Sequence, residues 1–106
     1  MTWTVKYKHT RPNTDVEFYS EEPDSPMNYF DTAQLVSDYK DTGKLISTSM
    51  SLSENGLELI KTLVYKDEAS KLAYSADSRI LAWKAACDTY NTSNNISKDT
   101  ILYEET

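Results

Sequence analysis

Residues 44–65 read Lys44-Leu45-Ile46-Ser47-Thr48-Ser49-Met50-Ser51-Leu52, then Ser53-Glu54-Asn55-Gly56, then Leu57-Glu58-Leu59-Ile60-Lys61-Thr62-Leu63-Val64-Tyr65. Two strand-like runs meet at Asn-Gly, the pair best suited to the positive φ angles of a tight hairpin turn. Side chains alternate across a strand, so the turn length sets which residues share a face. A two- or four-residue loop gathers Ile46, Thr48, Met50 and Leu52 with Leu57, Leu59, Leu63 and Tyr65. The one charge on that face is Lys61. The opposite face collects Leu45, Ser47, Ser49 and Ser51 with Glu58, Ile60, Thr62 and Val64. A three-residue loop would mix the two sets. The segregating register is therefore expected, with the first face in the core. Ile60 and Val64 among small hydroxyl residues point to partial cover of the second face by another surface. Ser47, Ser49, Ile60, Thr62 and Val64 are the candidate residues of a homodimer interface.

Outward from the hairpin, a helical pattern lies on each side. Asp24 or Ser25 can cap a helix with Pro26 at its first position, and Gly43 suits its C-terminal end. Along it Tyr29, Ala33, Val36 and Tyr39 recur at helical spacing. Asp67-Glu68-Ala69-Ser70 opens a second helical stretch with acids in its first turn. There Leu72, Ala73, Ala76, Ile80, Trp83, Cys87 and Tyr90 keep helical period, and Asp77 can divide the stretch into two helices. At the N-terminus Trp3, Val5, Tyr7 and His9 alternate with Thr4, Lys6, Lys8 and Thr10, a half-buried strand. Asp15–Tyr19 alternates again and is expected to be a short edge strand or an extended continuation. Asn91–Asn95 is expected to be a loop, and Thr100–Glu104 a last strand. The order is strand, helix, strand, strand, helix, strand: an α+β, ferredoxin-like βαββαβ fold with a four-stranded antiparallel sheet and two helices on one face. One domain over residues 1–106 is expected at this length.

Composition narrows the function classes. The 106 residues carry 11 basic and 17 acidic side chains, a net charge of −6. That balance disfavours nucleic acid, whose affinity comes largely from phosphate contacts, and it disfavours anionic membrane surfaces. No apolar run approaches the roughly 18 residues that suggest a membrane span. Lone Cys87 excludes an internal disulfide framework and fits a reducing compartment, so a cytoplasmic location is expected. Asp15, Glu17, Glu21, Glu22 and Asp24 crowd one segment. They form either a solvated loop or an acidic patch for a basic partner, such as a nucleic-acid mimic would present.

The chain resembles the dimeric α+β barrel group, the ferredoxin-like proteins that include the antibiotic-biosynthesis monooxygenase relatives. Five stretches carry the resemblance: Trp3-Thr4-Val5-Lys6-Tyr7, Asp41-Thr42-Gly43-Lys44, Ser53-Glu54-Asn55-Gly56, Lys66-Asp67-Glu68-Ala69 and the helix end Tyr90-Asn91. Together they span about residues 2–104 in layout. The resemblance implies a homodimer whose two sheets pack face to face. It implies no activity, because one fold hosts enzymes and non-enzymes. The stretch Thr10–Val16 also resembles small proteins of marine phages, which implies a host or virion protein as partner and the host cytoplasm as location.

Candidate chemistry is sparse. His9, the one histidine, is the candidate catalytic residue, as a general base or a haem ligand in a pocket between sheet and helices, or else a polar residue at the margin of the core. Tyr7, Tyr29, Tyr74 and Trp83 can line a pocket for a flat ligand, or can simply fill the core. No histidine, cysteine and carboxylate set has metal-ligand spacing, and no Gly-rich phosphate loop is present, so no metal and no cofactor are expected. A non-enzymatic binding or structural homodimer is the first expectation. The alternative is a cofactor-free, monooxygenase-like enzyme with a cavity near His9 and Trp83; a second alternative is an acidic inhibitor. A cavity of roughly 300 Å³ or more between sheet and helices favours the enzyme, and a packed interior rejects it.

Overall fold

The computed structural model describes residues 1–18 and 30–106, with the backbone alone for 30–33. Its elements run β1 (Trp3–Thr10), α1 (Phe30–Asp41), β2 (Leu45–Leu52), β3 (Glu58–Tyr65), α2 (Glu68–Ala76), α3 (Ser78–Ser93) and β4 (Ser97–Glu105). The strands form one antiparallel sheet in the order β2-β3-β1-β4. This is the expected ferredoxin-like arrangement. The difference is that the second helical stretch is two helices.

Local chemistry explains the breaks. Asp77 has an extended ψ of 133°, so it cannot continue α2, and its carboxylate accepts from the Arg79 N–H at 3.0 Å as the N-cap of α3. Asp67 caps α2 in the same way, accepting from Ser70 N–H at 2.8 Å. At the end of α1, Gly43 takes φ +74° and lets the Lys44 N–H reach the Tyr39 carbonyl at 2.9 Å. Gly56, at φ +76°, closes the hairpin, with its N–H on the Ser53 carbonyl at 2.9 Å.

The hairpin adopts the segregating register: Leu52 faces Leu59, Met50 faces Lys61 and Thr48 faces Leu63. One irregularity between Leu45 and Ser47 alters its far end. It sets Leu45 opposite Tyr65 and buries it, whereas Ile46 is half exposed. The expectation had these two reversed; a single extra residue in one strand flips everything beyond it. Met50 and Leu52 also depart from the expected core, at 68% and 55% exposed. The core gathers instead around Val5, Leu35, Leu45, Tyr65 and Tyr74, which draws α1 and α2 onto β1, β3 and the Leu45 end of β2. A second cluster joins Trp83 and buried Cys87 on α3.

Asp15–Phe18 is not an edge strand. Arg11 gathers this segment beside the hairpin tip, donating from Nε to the Gly56 carbonyl at 2.7 Å and from its guanidinium to the Val16 carbonyl at 3.0 Å. Its guanidinium also lies over the Phe18 ring at 4.7 Å. Strand β4 begins at Ser97, three residues before the expected start, and α3 continues to Ser93, into the expected loop. The expected cap and start of the first helix, at 24–26, fall outside the described residues.

Candidate functional site

Tyr7 and His9 alternate onto the helix-facing side of β1, the strand between β3 and β4. Antiparallel partners share a face, so the pairing selects their neighbours. Tyr7 sits opposite Lys61 on β3 and Thr100 on β4; His9 sits opposite Leu59 and Lys98. Above this floor, α2 contributes Lys71, Tyr74 and Ser75, spaced one turn apart. Helix α3 contributes Ile80, Trp83, Lys84 and Asp88 at the same helical repeat. The cleft between these walls holds about 540 Å³ and is open to solvent beside the exposed Lys84, Asp88 and Thr100, with Leu63 and Tyr65 completing the described lining.

A β-bulge decides what the floor presents. The β1/β4 pairing shifts between Lys6 and Tyr7. Before the shift Val5 faces Tyr103 and Lys6 faces Leu102; after it Tyr7 faces Thr100 and His9 faces Lys98. Regular pairing would have placed Ile101 and Asp99 opposite Tyr7 and His9. The extra residue therefore puts an ammonium where a carboxylate would stand.

Three of the lysines meet aromatic rings, two of them, Trp83 and Tyr7, in the cavity lining and one, Tyr103, outside it. The Lys61 ammonium lies 4.9 Å from the Trp83 ring centre, Lys98 lies 5.0 Å from Tyr7, and Lys71 lies 4.9 Å from Tyr103. Tyr65 and Tyr74 meet edge to face at 5.5 Å. His9 is 3% exposed. Burial, and then the charges of Lys61 and Lys98, lower its pKa to about 4, which leaves a neutral imidazole at physiological pH. Burial also raises the Tyr7 and Tyr65 hydroxyls. Lys71 is lowered by burial and by the charge of Lys84.

The fold thus brings four of the sequence candidates, Tyr7, His9, Tyr74 and Trp83, to one cavity. Tyr29 lies outside the described residues. The lysines were not foreseen, although Lys61 stood out as the lone charge on the core-facing side of its hairpin. Ser47, Ser49, Ile60, Thr62 and Val64 sit on the other side of the sheet, where the serines are exposed and the other three are half-buried. Asp15 and Glu17 are exposed; Glu21, Glu22 and Asp24 lie outside the described residues. Among the described residues no group of three His, Cys, Asp or Glu side chains can hold a metal ion. No helix there is long and apolar enough to cross a membrane.

No protein-family model matches the chain, and neither does any curated protein sequence. Solved structures do match it in fold. One is the cofactor-independent oxygenase SnoaB from Streptomyces nogalater, in a variant form, at TM-score 0.62 and 11% identity, covering 99% of this chain and 95% of that one. A second is a Nitrosomonas europaea protein described as a candidate antibiotic biosynthesis monooxygenase, at TM-score 0.55 and 11% identity, covering 97% and 89%. A third is a dimeric ferredoxin-like protein from an uncultured marine organism, at TM-score 0.51 and 17% identity, covering 98% of each chain. These structures share the expected fold. They correct the expectation of a non-enzymatic binding protein of phage type, because the structures of this fold include oxygenases and monooxygenase-like proteins.

Proposed function

We propose that this chain is a small-molecule enzyme of the monooxygenase type that oxygenates a flat aromatic compound in the cavity over Tyr7 and His9. One observation carries the reading: an aromatic-walled space of about 540 Å³ with a buried neutral histidine on its floor. That volume exceeds the roughly 300 Å³ at which small-molecule sites begin. The oxygenase neighbours support the same reading.

The chemistry asks little of the protein. An electron-rich substrate with an acidic CH₂ group loses a proton to the base, for which His9 is the candidate. The carbanion gives its electrons to O₂ and forms a C–O bond. Loss of water then leaves a carbonyl, with one oxygen atom in the product and one in the water. O₂ is the sole co-reactant and the substrate is the reductant. Tyr7, Tyr74 and Trp83 would hold the ring system flat.

The chain would work as a homodimer through the open sheet face, with Ser47, Ser49, Ile60, Thr62 and Val64 against a second copy. A dimeric protein of this fold supports that part.

The test is oxygen uptake with anthrone and related carbon acids. Ketone should form faster than in the uncatalysed control, and His9→Gln should lower the rate about a hundredfold, the ordinary contribution of a general base. Rates equal to the control across the whole series would overturn the reading.

A further inference from the structure

Lys98 on β4 stands directly opposite His9 on β1, and both side chains line the cavity. Its ammonium leans along the floor and lies 5.0 Å from the centre of the Tyr7 ring. Tyr7 is two residues from His9 on the same face, about 7 Å along the strand. A base and a cation therefore share one floor, offset along it. The pairing is the work of the β-bulge, since regular pairing would have set Asp99 opposite His9.

Lys98 is also available for a second contact. An ammonium carries three donors, and a ring face occupies one side of it. Among the described residues no carboxylate lies within ion-pair distance of Lys98. Lys61, on the other flank of Tyr7, directs its ammonium to the Trp83 ring on the helical wall instead.

Proton abstraction needs such a group. When a CH₂ conjugated with a carbonyl loses its proton, the electron pair moves to the carbonyl oxygen and an enolate forms. The new charge appears at one atom, and a cation placed there favours the enolate over the ketone. Lys98 also opposes the imidazolium formed in the same step, so the oxygen must lie closer to Lys98 than the imidazole does. The lean toward Tyr7 allows that.

We infer that Lys98 holds the carbonyl oxygen of the substrate over Tyr7 and stabilises it as an enolate, while the acidic CH₂ rests against His9. The substrate class is an aromatic ketone whose CH₂ is conjugated with its carbonyl through the ring. The C–H bond breaks, the proton goes to an imidazole nitrogen and the electron pair goes to the oxygen; Lys98 keeps its own protons. This rests on the oxygenase reading of the cavity and adds the orientation of the substrate in it.

1-Naphthol is the probe, because its ionisation places negative charge on an oxygen attached to the ring, as in the enolate. Bound to the full-length chain, its pKa read by absorbance should fall about one unit below that of free 1-naphthol. Lys98→Gln should abolish the fall, and Lys98→Arg should keep most of it. In oxygen uptake with anthrone, Lys98→Gln should lower kcat at least about tenfold with KM changed less than about twofold, and Lys98→Arg should restore most of the rate. Lys40→Gln removes the same charge from an exposed position on α1 and should change neither readout. An equal 1-naphthol pKa in wild type and Lys98→Gln would overturn the inference and leave the oxygenase reading standing. A Lys98-dependent fall without oxygen uptake by the wild type would support the place of Lys98 at the oxygen and overturn the oxygenase reading. Failure of 1-naphthol to bind would overturn both.

Discussion

Lys61 on β3 places its ammonium 4.9 Å from the centre of the Trp83 ring on α3, so one contact ties the sheet to the helical wall across the cavity. The ammonium lies over the face of the indole, a cation–π contact. Trp83 is 8% exposed and packs with Cys87. Trp83→Ala should therefore cost about 3 kcal/mol, the lower end of the range for a buried tryptophan, because its site already borders open space. Lys61→Met keeps the stem and should cost less than about 1 kcal/mol. Urea midpoints of the two variants check the contrast. Equal losses would mean that the ammonium, not the packing, holds the wall.

His9 should make stability pH-dependent in a defined window. Its folded pKa of about 4 lies below its ordinary value of 6.5, so the unfolded chain binds more protons between those limits. The native state is favoured fully above about pH 6.5 and loses that contribution as pH falls towards 4. The total is on the order of 3 kcal/mol, at about 1.4 kcal/mol per pKa unit. His9→Gln should flatten the stability profile in that window and leave the steeper acid loss from the carboxylates below it. An unchanged slope would place the histidine in water rather than beneath the lysines.

Binding in the cavity should move the same histidine the other way. An anion beside His9 offsets Lys61 and Lys98, the two charges that depress it. The imidazole pKa, followed by NMR, should rise when 1-naphthoate is added and should not move with neutral naphthalene carboxamide. A rise with both ligands would trace the shift to reorganisation rather than charge.

Asp77 holds the junction of α2 and α3 by capping Arg79 N–H and pairing with the Arg79 guanidinium at 3.0 Å. Asp77→Ala should cost about 1 kcal/mol, and Asp77→Asn should recover most of it, because asparagine caps equally well. The comparison separates capping from charge. A loss in Asp77→Asn as large as in Asp77→Ala would give the role to the ion pair. Thermal midpoints read it directly.

The homodimer is tested on the sheet face away from the helices. Light scattering at micromolar concentration should give twice the chain mass of 12.1 kDa. Ile60→Lys, on that face beside Ser51, should give the monomer with an unchanged far-ultraviolet spectrum. A wild-type monomer would remove the interface.

The sheet and its order were legible from alternation and turn chemistry. Asn55-Gly56 set the hairpin register, the Trp3–His9 alternation gave β1 its two faces, and Asp77 marked the helix break through the ability of its carboxylate to bond the backbone. These signals are local, and local signals survive without knowledge of the partner strand. The Asp15–Phe18 alternation left an edge strand and an extended continuation open; the segment pairs with no strand, and Arg11 bonds the Val16 and Gly56 carbonyls beside the hairpin tip.

The sequence by itself determined which residues could face the cavity floor from β1, since the two-residue period allows Tyr7 and His9 to point one way only. It did not determine what they would face. Two single-residue irregularities did that: one turned Leu45 inward in place of Ile46, and the other turned Lys98 inward in place of Asp99. A bulge leaves little trace in the chain that bears it, because it is a property of the pairing between two strands. The sign of charge in the cavity was therefore decided only when β4 paired with β1.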